Sequence, residues 1–226
     1  MASSSMEGSM PTMDEYEALL STTDVELLKR AWRSEKAAPE ILRYDFDLVG
    51  RVTEQLQLME ETVEEKSTSG ADPLSLSLYQ MDLDRTLFLL RSYLRIRIQK
   101  IEKYMFHIRK SDELWNRLSK GEKDFASRCI DDLKQHLEES VLSKLPENYQ
   151  SVEKQSVISE EDDMVPEPRL DTFVLCRSKE YLSGIQLEDG PVDDRSKLFE
   201  MEPGVLYFIC YKSIKPLVES GKIDLL

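Results

Sequence analysis

The 226-residue sequence is poor in the residues that build catalytic, metal and phosphate sites, with three cysteines, two histidines and eight glycines. Cys129, Cys176 and Cys210 are too widely spaced for paired zinc ligands, and their odd number disfavours a disulfide framework. The glycines form no phosphate-binding pattern, and neither a nucleophile elbow nor a His-Glu-x-x-His motif is present. His107 and His136 are expected to be structural. We therefore expect no enzyme activity, no metal and no cofactor.

Long apolar runs are also absent from the sequence. The longest, at 87–90 and 205–210, fall far short of the ~20 residues that a membrane-spanning helix needs. The first twenty residues lack a basic segment followed by an apolar one, so we expect no secretion signal. These features predict a soluble intracellular protein with reduced thiols and no membrane partner.

Positive charge is the scarcer sign: 30 Lys and Arg stand against 44 Asp and Glu, for a formal net charge of −14. This balance disfavours free-standing, sequence-independent nucleic-acid binding, which normally uses a positive surface. The length and the 40% hydrophobic content suit one large domain or two smaller ones, each with a core.

Helical patterns fill the first two thirds of the chain. Thr23-x-x-Glu26 has the form of a capping box, and a second helix is predicted to start near Asp45 or Asp47. The predicted core positions of this second helix are Leu48, Val52, Leu56, Met59 and Val63. Residues 66–72 are predicted to be a loop.

Two further helices are predicted from their start signals. Asp72-Pro73 favours the start of a third helix that could run to about Lys110. The capping-box pattern at 119–122 starts a fourth helix. Its predicted core positions are Phe125, Cys129, Leu133, Leu137 and Val141.

The pattern changes after Pro146. Residues 147–169 contain the acidic run 160–163 and two prolines, which suits a solvated linker or a docking peptide. Strands are predicted at 172–177, 183–187, 196–201, 205–211 and 222–226, with a short helix at 213–220. The predicted fold class is α+β, an N-terminal α-helical bundle domain with a long central helix, followed by a small C-terminal β-rich domain. The predicted limits are a mobile tail at 1–20, the helical domain at 21–146, the acidic linker at 147–169 and the β-rich domain at 170–226.

The third helix has an unusual charge and hydrophobic pattern. Residues 85–110 carry eight Lys or Arg and one acid, a net +7 that leaves −21 for the rest of the chain. One apolar set lies within about an 80° sector: Leu87, Leu90, Leu94, Ile98, Ile101, Met105 and Ile108. A second set, Leu89, Tyr93 and Ile96, is predicted to lie on nearly the opposite side. Three interpretations stay open: a long bundle helix in a monomer, a helix buried in an obligate oligomer, and a DNA-gripping helix. The last is disfavoured because it would expose the second apolar set.

Five stretches together resemble one protein family. They are residues 31–42 (A-W-x-x-E-x-x-A-P-E-I-L), 54–56 (E-Q-L), 79–82 (Y-Q-M-D), 89–103 (L-L-R-S-Y-L-R-I-R-I-Q-K-I-E-K) and 211–221 (Y-K-S-I-x-P-L-V-x-S-G). Their order is similar to that of the Sld-five subunits of the GINS complex, over residues 23–226. The sequence departs most from the family pattern at 1–20, 66–72 and 111–120.

The resemblance implies a non-catalytic scaffold in the nucleus. GINS is a heterotetramer, so the implied partners are three related subunits of the Psf family. Through the complex, the implied partners are the Cdc-forty-five protein, the MCM ring and DNA polymerase epsilon, in the replicative helicase assembly. The helical domain is expected to pack beside partner subunits, and the β-rich domain to help dock a neighbour.

The motifs supply the candidate residues for the core or the partner interface. These are Trp32, Pro39, Leu42, Leu89, Arg91, Tyr93, Arg95, Ile96, Arg97, Tyr211, Ile214 and Leu217. Direct DNA contact by the isolated chain is expected to be weak or absent. The alternative is a nucleic-acid-binding adaptor that uses the basic helix 85–110.

Overall fold

The computed structural model describes residues 23–70, 72–153, 165–185 and 199–226. The predicted tail at 1–20 lies outside the described residues, as does 154–164, which includes the acidic run. Segment 186–198 also lies outside them, so the predicted strands 183–187 and 196–201 are described only in part.

The first two helices begin where their capping residues predict. Helix α1 (Asp24–Ala37) is capped by Thr23, whose side chain accepts a hydrogen bond from the backbone N–H of Glu26 at 3.3 Å. Helix α2 (Phe46–Thr68) is capped by Asp45. The predicted loop at 66–72 was too long, because α2 continues through Thr68. Of the predicted α2 core positions, Leu48, Val52 and Leu56 are buried and the other two are half-buried.

The longest helix, α3, spans Pro73–Lys110 and is capped by Asp72, as predicted. Tyr104 has non-helical dihedral angles, φ −115° and ψ 20°, so the helix is kinked there. A short helix, α4 (Asp112–Asn116), follows and was not predicted. Helix α5 (Lys120–Ser140) starts with the predicted capping box of Ser119 and Glu122. Two single 3₁₀ turns, Leu142–Lys144 and Glu147–Tyr149, come next.

The prediction that α3 has two apolar sets on nearly opposite sides was wrong. Its buried positions before the kink are Leu83, Thr86, Leu89, Leu90, Tyr93, Arg97 and Ile101. The centres of the two predicted apolar sets are about 130° apart at about 100° per residue, not opposite. They form the two edges of a single broad buried face with Arg97 at its middle, while Ile98, from the first set, is 41% exposed.

The predicted core face of α5 was also displaced. Glu122, Ala126 and Ile130 are buried, whereas Val141 is 48% exposed and the other predicted positions are half-buried. The face of α5 that carries Glu122 points into the bundle, where the Glu122 carboxylate pairs with buried Arg97. A charged core position is invisible to a search for apolar periodicity.

The C-terminal part of the chain contains two small antiparallel sheets. Strands β1 (Phe173–Ser178), β4 (Leu206–Cys210) and β5 (Ile223–Leu225) form one sheet in the order β4-β1-β5. Strands β2 (Leu182–Ile185) and β3 (Phe199–Met201) pair in the other. Helix α6 (Tyr211–Glu219) joins β4 to β5, so the predicted short helix begins two residues earlier than expected and the predicted strand 205–211 ends before Tyr211. The α+β fold class is confirmed.

The connection between α1 and α2 contacts several parts of the core. Ala38 lies in the core of the sheet domain, and Leu42 packs against that core. Ile41 instead lies in the cluster formed by the second half of α3, α4 and α5. A third cluster joins α1, α2 and the first half of α3. This connection therefore links the helical bundle to the sheet domain.

Candidate partner interface

Arg97 lies at the centre of the bundle and is 0% exposed. Its Nε donates to Glu122 Oε1 at 2.7 Å, and Nη2 donates to Glu122 Oε2 at 3.1 Å. Its Nη1 donates to Glu35 Oε2 at 2.9 Å. The backbone oxygens of Leu42 and Arg117 accept the remaining two hydrogen bonds, at 2.8 and 3.3 Å. All five N–H groups of the guanidinium thus have an acceptor, as burial of an arginine requires.

Glu122 serves two purposes at the start of α5. Its Oε2 accepts a hydrogen bond from the backbone N–H of Ser119 at 2.8 Å, completing the capping box. The same carboxylate pairs with Arg97 in a bidentate arrangement, the strongest form of this contact. Burial acts to lower the pKa of Arg97, but the hydrogen bond to Glu122 and the charge of Glu35 outweigh it and raise that pKa.

Lys100 lies one turn beyond Arg97 and pairs with the other oxygen of Glu35. Its Nζ donates to Glu35 Oε1 at 2.8 Å, to the carbonyl oxygen of Glu40 at 2.8 Å and to the carbonyl oxygen of Glu35. Desolvation lowers the pKa of this ammonium group, although Glu35 opposes the shift. Two of the basic side chains of the 85–110 segment are therefore neutralised inside the bundle.

A second ionic cluster, which we call the interdomain cluster, consists of Glu40, Arg117, Tyr211, Lys215 and Glu219. Glu40 is only 3% exposed and accepts from the Tyr211 hydroxyl and from Lys215 Nζ, both at 2.9 Å. Arg117 Nη1 lies 3.4 Å from Glu40 Oε1, and its Nη2 donates to Glu219 Oε1 at 2.6 Å. Tyr211, Lys215 and Glu219 belong to α6 of the sheet domain. The cluster therefore fastens the sheet domain to the helical bundle through charges supplied by both.

The polar side chains of both clusters pair with one another or with backbone carbonyl groups. Across the described residues, every buried side-chain nitrogen or oxygen has a hydrogen-bond partner. No group of three or more His, Cys, Asp or Glu side chains in the described ranges could hold a metal ion. Burial raises the pKa of the Cys176 thiol to about 11, which keeps it in the unreactive protonated form.

The described helices contain no segment that is both long enough and apolar enough to cross a membrane.

The predicted candidate residues fall into three groups and do not form one surface. Leu89, Tyr93, Arg97, Tyr211 and Ile214 are buried within the chain's own cores. A half-buried group comprises Trp32, Pro39, Leu42, Ile96 and Leu217. Arg91 and Arg95 are exposed on the outer face of α3. The predicted interface role of the second apolar set stays untested, and two of its three members are interior side chains.

Sequence reasoning missed the acidic partners of the two clusters. Glu35 and Glu40 lie in the family motif at 31–42, and Glu122 lies in the capping-box pattern at 119–122. None of the three was among the predicted candidate residues. The signal that could have found them is Arg97 itself, a basic residue at the middle of an apolar helix face. Such a residue needs buried carboxylates from other elements.

Two apolar surfaces are left uncovered by the described residues. On the outer face of α3, Leu74, Leu78, Met81 and Phe88 are 58–67% exposed. On the outer face of the three-stranded sheet, the rings of Phe173 and Phe208 stack with centroids 5.4 Å apart and are 50% and 68% exposed. Large exposed apolar side chains that cluster in this way are one feature of protein interaction surfaces.

Comparison with known families agrees with this two-part architecture. A model described as the GINS complex protein helical bundle domain, Sld5, matches residues 51–141. A second, described as the DNA replication complex GINS protein SLD5 C-terminus, matches residues 168–226. The two matches define the class of the chain as a GINS complex protein.

Three individual relatives that match the chain are SLD5 proteins, one subunit of this class. The DNA replication complex GINS protein SLD5 of Arabidopsis thaliana is 61% identical over 226 residues, covering 100% of both chains. The protein of that name from Rattus norvegicus is 34% identical over 207 residues, covering 89% of this chain and 88% of its own. That of Dictyostelium discoideum is 27% identical and covers 94% of this chain and 98% of its own. The chain belongs to the SLD5 family of DNA replication complex GINS proteins, which confirms the resemblance seen in the motifs.

Proposed function

We propose that the chain is a non-catalytic structural subunit of a heterotetrameric GINS complex and assembles with three other GINS subunits of the Psf family. The observation that carries the proposal is the match to the SLD5 protein of Arabidopsis thaliana over the full length of the chain. The structure supports it physically, because among the described residues the buried polar side chains all have hydrogen-bond partners while several large apolar side chains stay exposed.

In this proposal the complex acts in the nucleus, in initiation and fork progression of chromosomal replication. It joins the Cdc-forty-five protein and the MCM ring in the replicative helicase assembly and contacts DNA polymerase epsilon. Each contact is tested by capturing the purified complex on an affinity tag and adding one of these partners at a time. Nuclear fractionation of a tagged chain tests the location.

Assembly is tested by co-expressing the chain with and without the three other subunits. We expect a soluble stoichiometric complex in the first case and an aggregated or poorly recovered chain in the second. A stable, well-behaved monomer at low micromolar concentration would contradict the proposal.

The adaptor alternative, DNA binding through helix 85–110, is weakened by the pairing of Arg97 and Lys100 inside the bundle. It predicts DNA affinity that falls steeply as salt is added. Absence of binding at ~50 mM salt, by the isolated chain if it is recovered in soluble form and otherwise by the purified complex, removes it.

A further inference from the structure

The outer face of α3 has the spacing of a helix-packing seam. Positions 74, 78, 81, 85, 88, 92 and 95 follow one another at alternating steps of four and three. That alternation is the spacing by which one helix packs its side chains between those of another. We call these seven residues the outer seam: Leu74, Leu78, Met81, Arg85, Phe88, Ser92 and Arg95. At 1.5 Å per residue the seam is about 32 Å long.

The described part of the chain leaves the outer seam uncovered. Six of its seven residues are exposed, and the four apolar ones are each more than half exposed. The exception is Ser92, whose hydroxyl accepts a hydrogen bond from Trp32 Nε1 at 2.9 Å, so α1 borders the seam there. The opposite side of α3 already packs against α1, α2 and α5.

Charge divides the outer seam into two halves. Its N-terminal half is apolar, with Leu74, Leu78 and Met81. Its C-terminal half contains Arg85 and Arg95, and Arg91 lies beside it. In the described residues none of these three arginines has a carboxylate partner. A depression of about 230 Å³ is lined by Phe88, Arg91 and Arg95 together with Leu87, Ser92 and one carboxylate, Asp84. Exposed guanidinium groups beside an aromatic ring bind carboxylates that are flanked by apolar side chains.

We infer that the outer seam docks an amphipathic acidic helix of a partner subunit. This inference rests on the proposed function and names the surface and the chemistry of one contact within it. The helix presents apolar side chains to Leu74, Leu78 and Met81. Its carboxylates face Arg85, Arg91 and Arg95.

Other occupants complement the seam less well. A second copy aligned in parallel would place arginine against arginine, which is repulsive. In an antiparallel copy centred on Arg85, Arg95 would face Leu74 and Arg85 would face Arg85, while Asp82 and Asp84 would lie beside the middle of the seam, away from Arg95. DNA would pair with the arginines but leave the apolar half in water. The chain's own acidic segment 14–20 is the remaining competitor, and the experiment below separates it from a partner helix.

The direct test is zero-length carboxyl-to-amine cross-linking of the co-purified complex with an Arg95→Lys chain. This variant keeps the charge and supplies a reactive amine. Peptide mass spectrometry should find the substituted position 95 joined to an Asp or Glu in a helix of another subunit. A cross-link to residues 14–20, to a second copy, or to no partner carboxylate overturns the inference.

Charge reversal gives a second readout. Arg91→Glu with Arg95→Glu should lower recovery of the chain in the complex by about tenfold or more, as expected for desolvated interface charges. Arg169→Glu, an exposed charge outside the seam, is the matched control and should assemble normally. If seam and control variants assemble alike, the inference is wrong and the proposed function stands. If the unmodified chain fails to assemble, the proposed function itself is contradicted.

Discussion

The hydroxyl of Tyr211 donates a hydrogen bond of 2.9 Å to Glu40 Oε1, across 171 positions of the chain. Tyr211 opens α6 of the sheet domain, and Glu40 lies in the connection between α1 and α2. Both side chains are buried, at 0% and 3% exposure. The contact therefore belongs to an interior that the two domains share.

Neutralising Glu40 should weaken this shared interior. In Glu40→Gln, Lys215 loses its only carboxylate partner among the described residues, while Arg117 keeps Glu113 and Glu219. We expect a loss of about 1.5–3 kcal/mol, the range for hydrogen bonds to charged groups. The measurement is denaturant unfolding of the co-purified assembly, or of the chain alone if it folds by itself. Glu26→Gln, which removes a surface pair with Lys29, is the control and should change stability little. Equal effects of the two variants would contradict the role of Glu40.

Stability should fall as the pH rises above about 10 because of Tyr211. Burial raises the pKa of its hydroxyl above the ordinary value of 10.0, and the Glu40 charge adds to the shift. The folded state therefore keeps a proton that the unfolded chain releases. This contribution is complete below pH 10.0 and is lost as the pH rises through the folded-state pKa. Thermal melting of wild type and Tyr211→Phe across this range should show a shallower decline for the variant. If the melting temperatures of wild type and Tyr211→Phe fell equally with pH, Tyr211 would not be the cause of the decline.

Lys100 should make the stability rise with pH, opposite to the effect of Tyr211. Desolvation lowers its pKa below the ordinary 10.5, so the folded state releases this proton before the unfolded chain does. Its contribution to stability therefore grows as the pH approaches 10.5 and is smallest at lower pH. Comparing Lys100→Met with wild type in the same melting series isolates this rise. A variant curve with the same pH slope as wild type would show that Lys100 is not desolvated.

Arg97→Lys should be severely destabilising although it keeps the charge. Lysine has three donors in place of five and cannot pair with Glu122 in a bidentate manner. Breaking a buried ion pair costs about 3–5 kcal/mol. The expected result is a marked fall in melting temperature and in complex yield. The control is Arg169→Lys at an exposed position outside the outer seam, which should stay within about 0.5 kcal/mol of wild type. A mild Arg97→Lys phenotype would mean that the guanidinium geometry is not required.

Trp32→Ala should also impair folding or assembly. Trp32 packs against the cluster of α1, α2 and α3, and its indole N–H donates to Ser92 at 2.9 Å. Replacing a fully buried tryptophan by alanine typically costs about 3–5 kcal/mol, and Trp32 is half-buried, so we expect a loss below that range. Leu58→Ala on α2, where Leu58 is 63% exposed, is the control and should be near neutral. Unchanged melting and complex yield in Trp32→Ala would show that Trp32 is not a core residue.

Helix starts were predictable because capping is a local signal. Thr23, Asp45, Asp72 and Ser119 each cap the helix predicted to follow. The side chain involved lies within three residues of the N–H group that it satisfies, so neighbours in sequence determine the contact. Strand β1 was predicted at 172–177 from its β-forming residues, but its alternation of buried and exposed side chains was not, because 173–176 are all apolar.

The core of the candidate site was not predictable in the same way. Arg97 counts as a polar position in a search for apolar periodicity, although its side chain is fully buried. Its carboxylates come from positions 62 residues earlier and 25 residues later. The interdomain cluster depends on pairs 171 and 175 residues apart. Such pairings are determined by the tertiary fold and cannot be predicted from the pattern of residues near each position in the sequence.

Native mass spectrometry of the assembly co-purified through this chain tests the central claim most directly, because it reports stoichiometry and partner identity together. The account predicts one dominant species whose mass equals one copy each of this chain and the three other GINS subunits. Recovery of the chain alone, or of a dominant species that lacks one or more of those three subunits, would contradict the account.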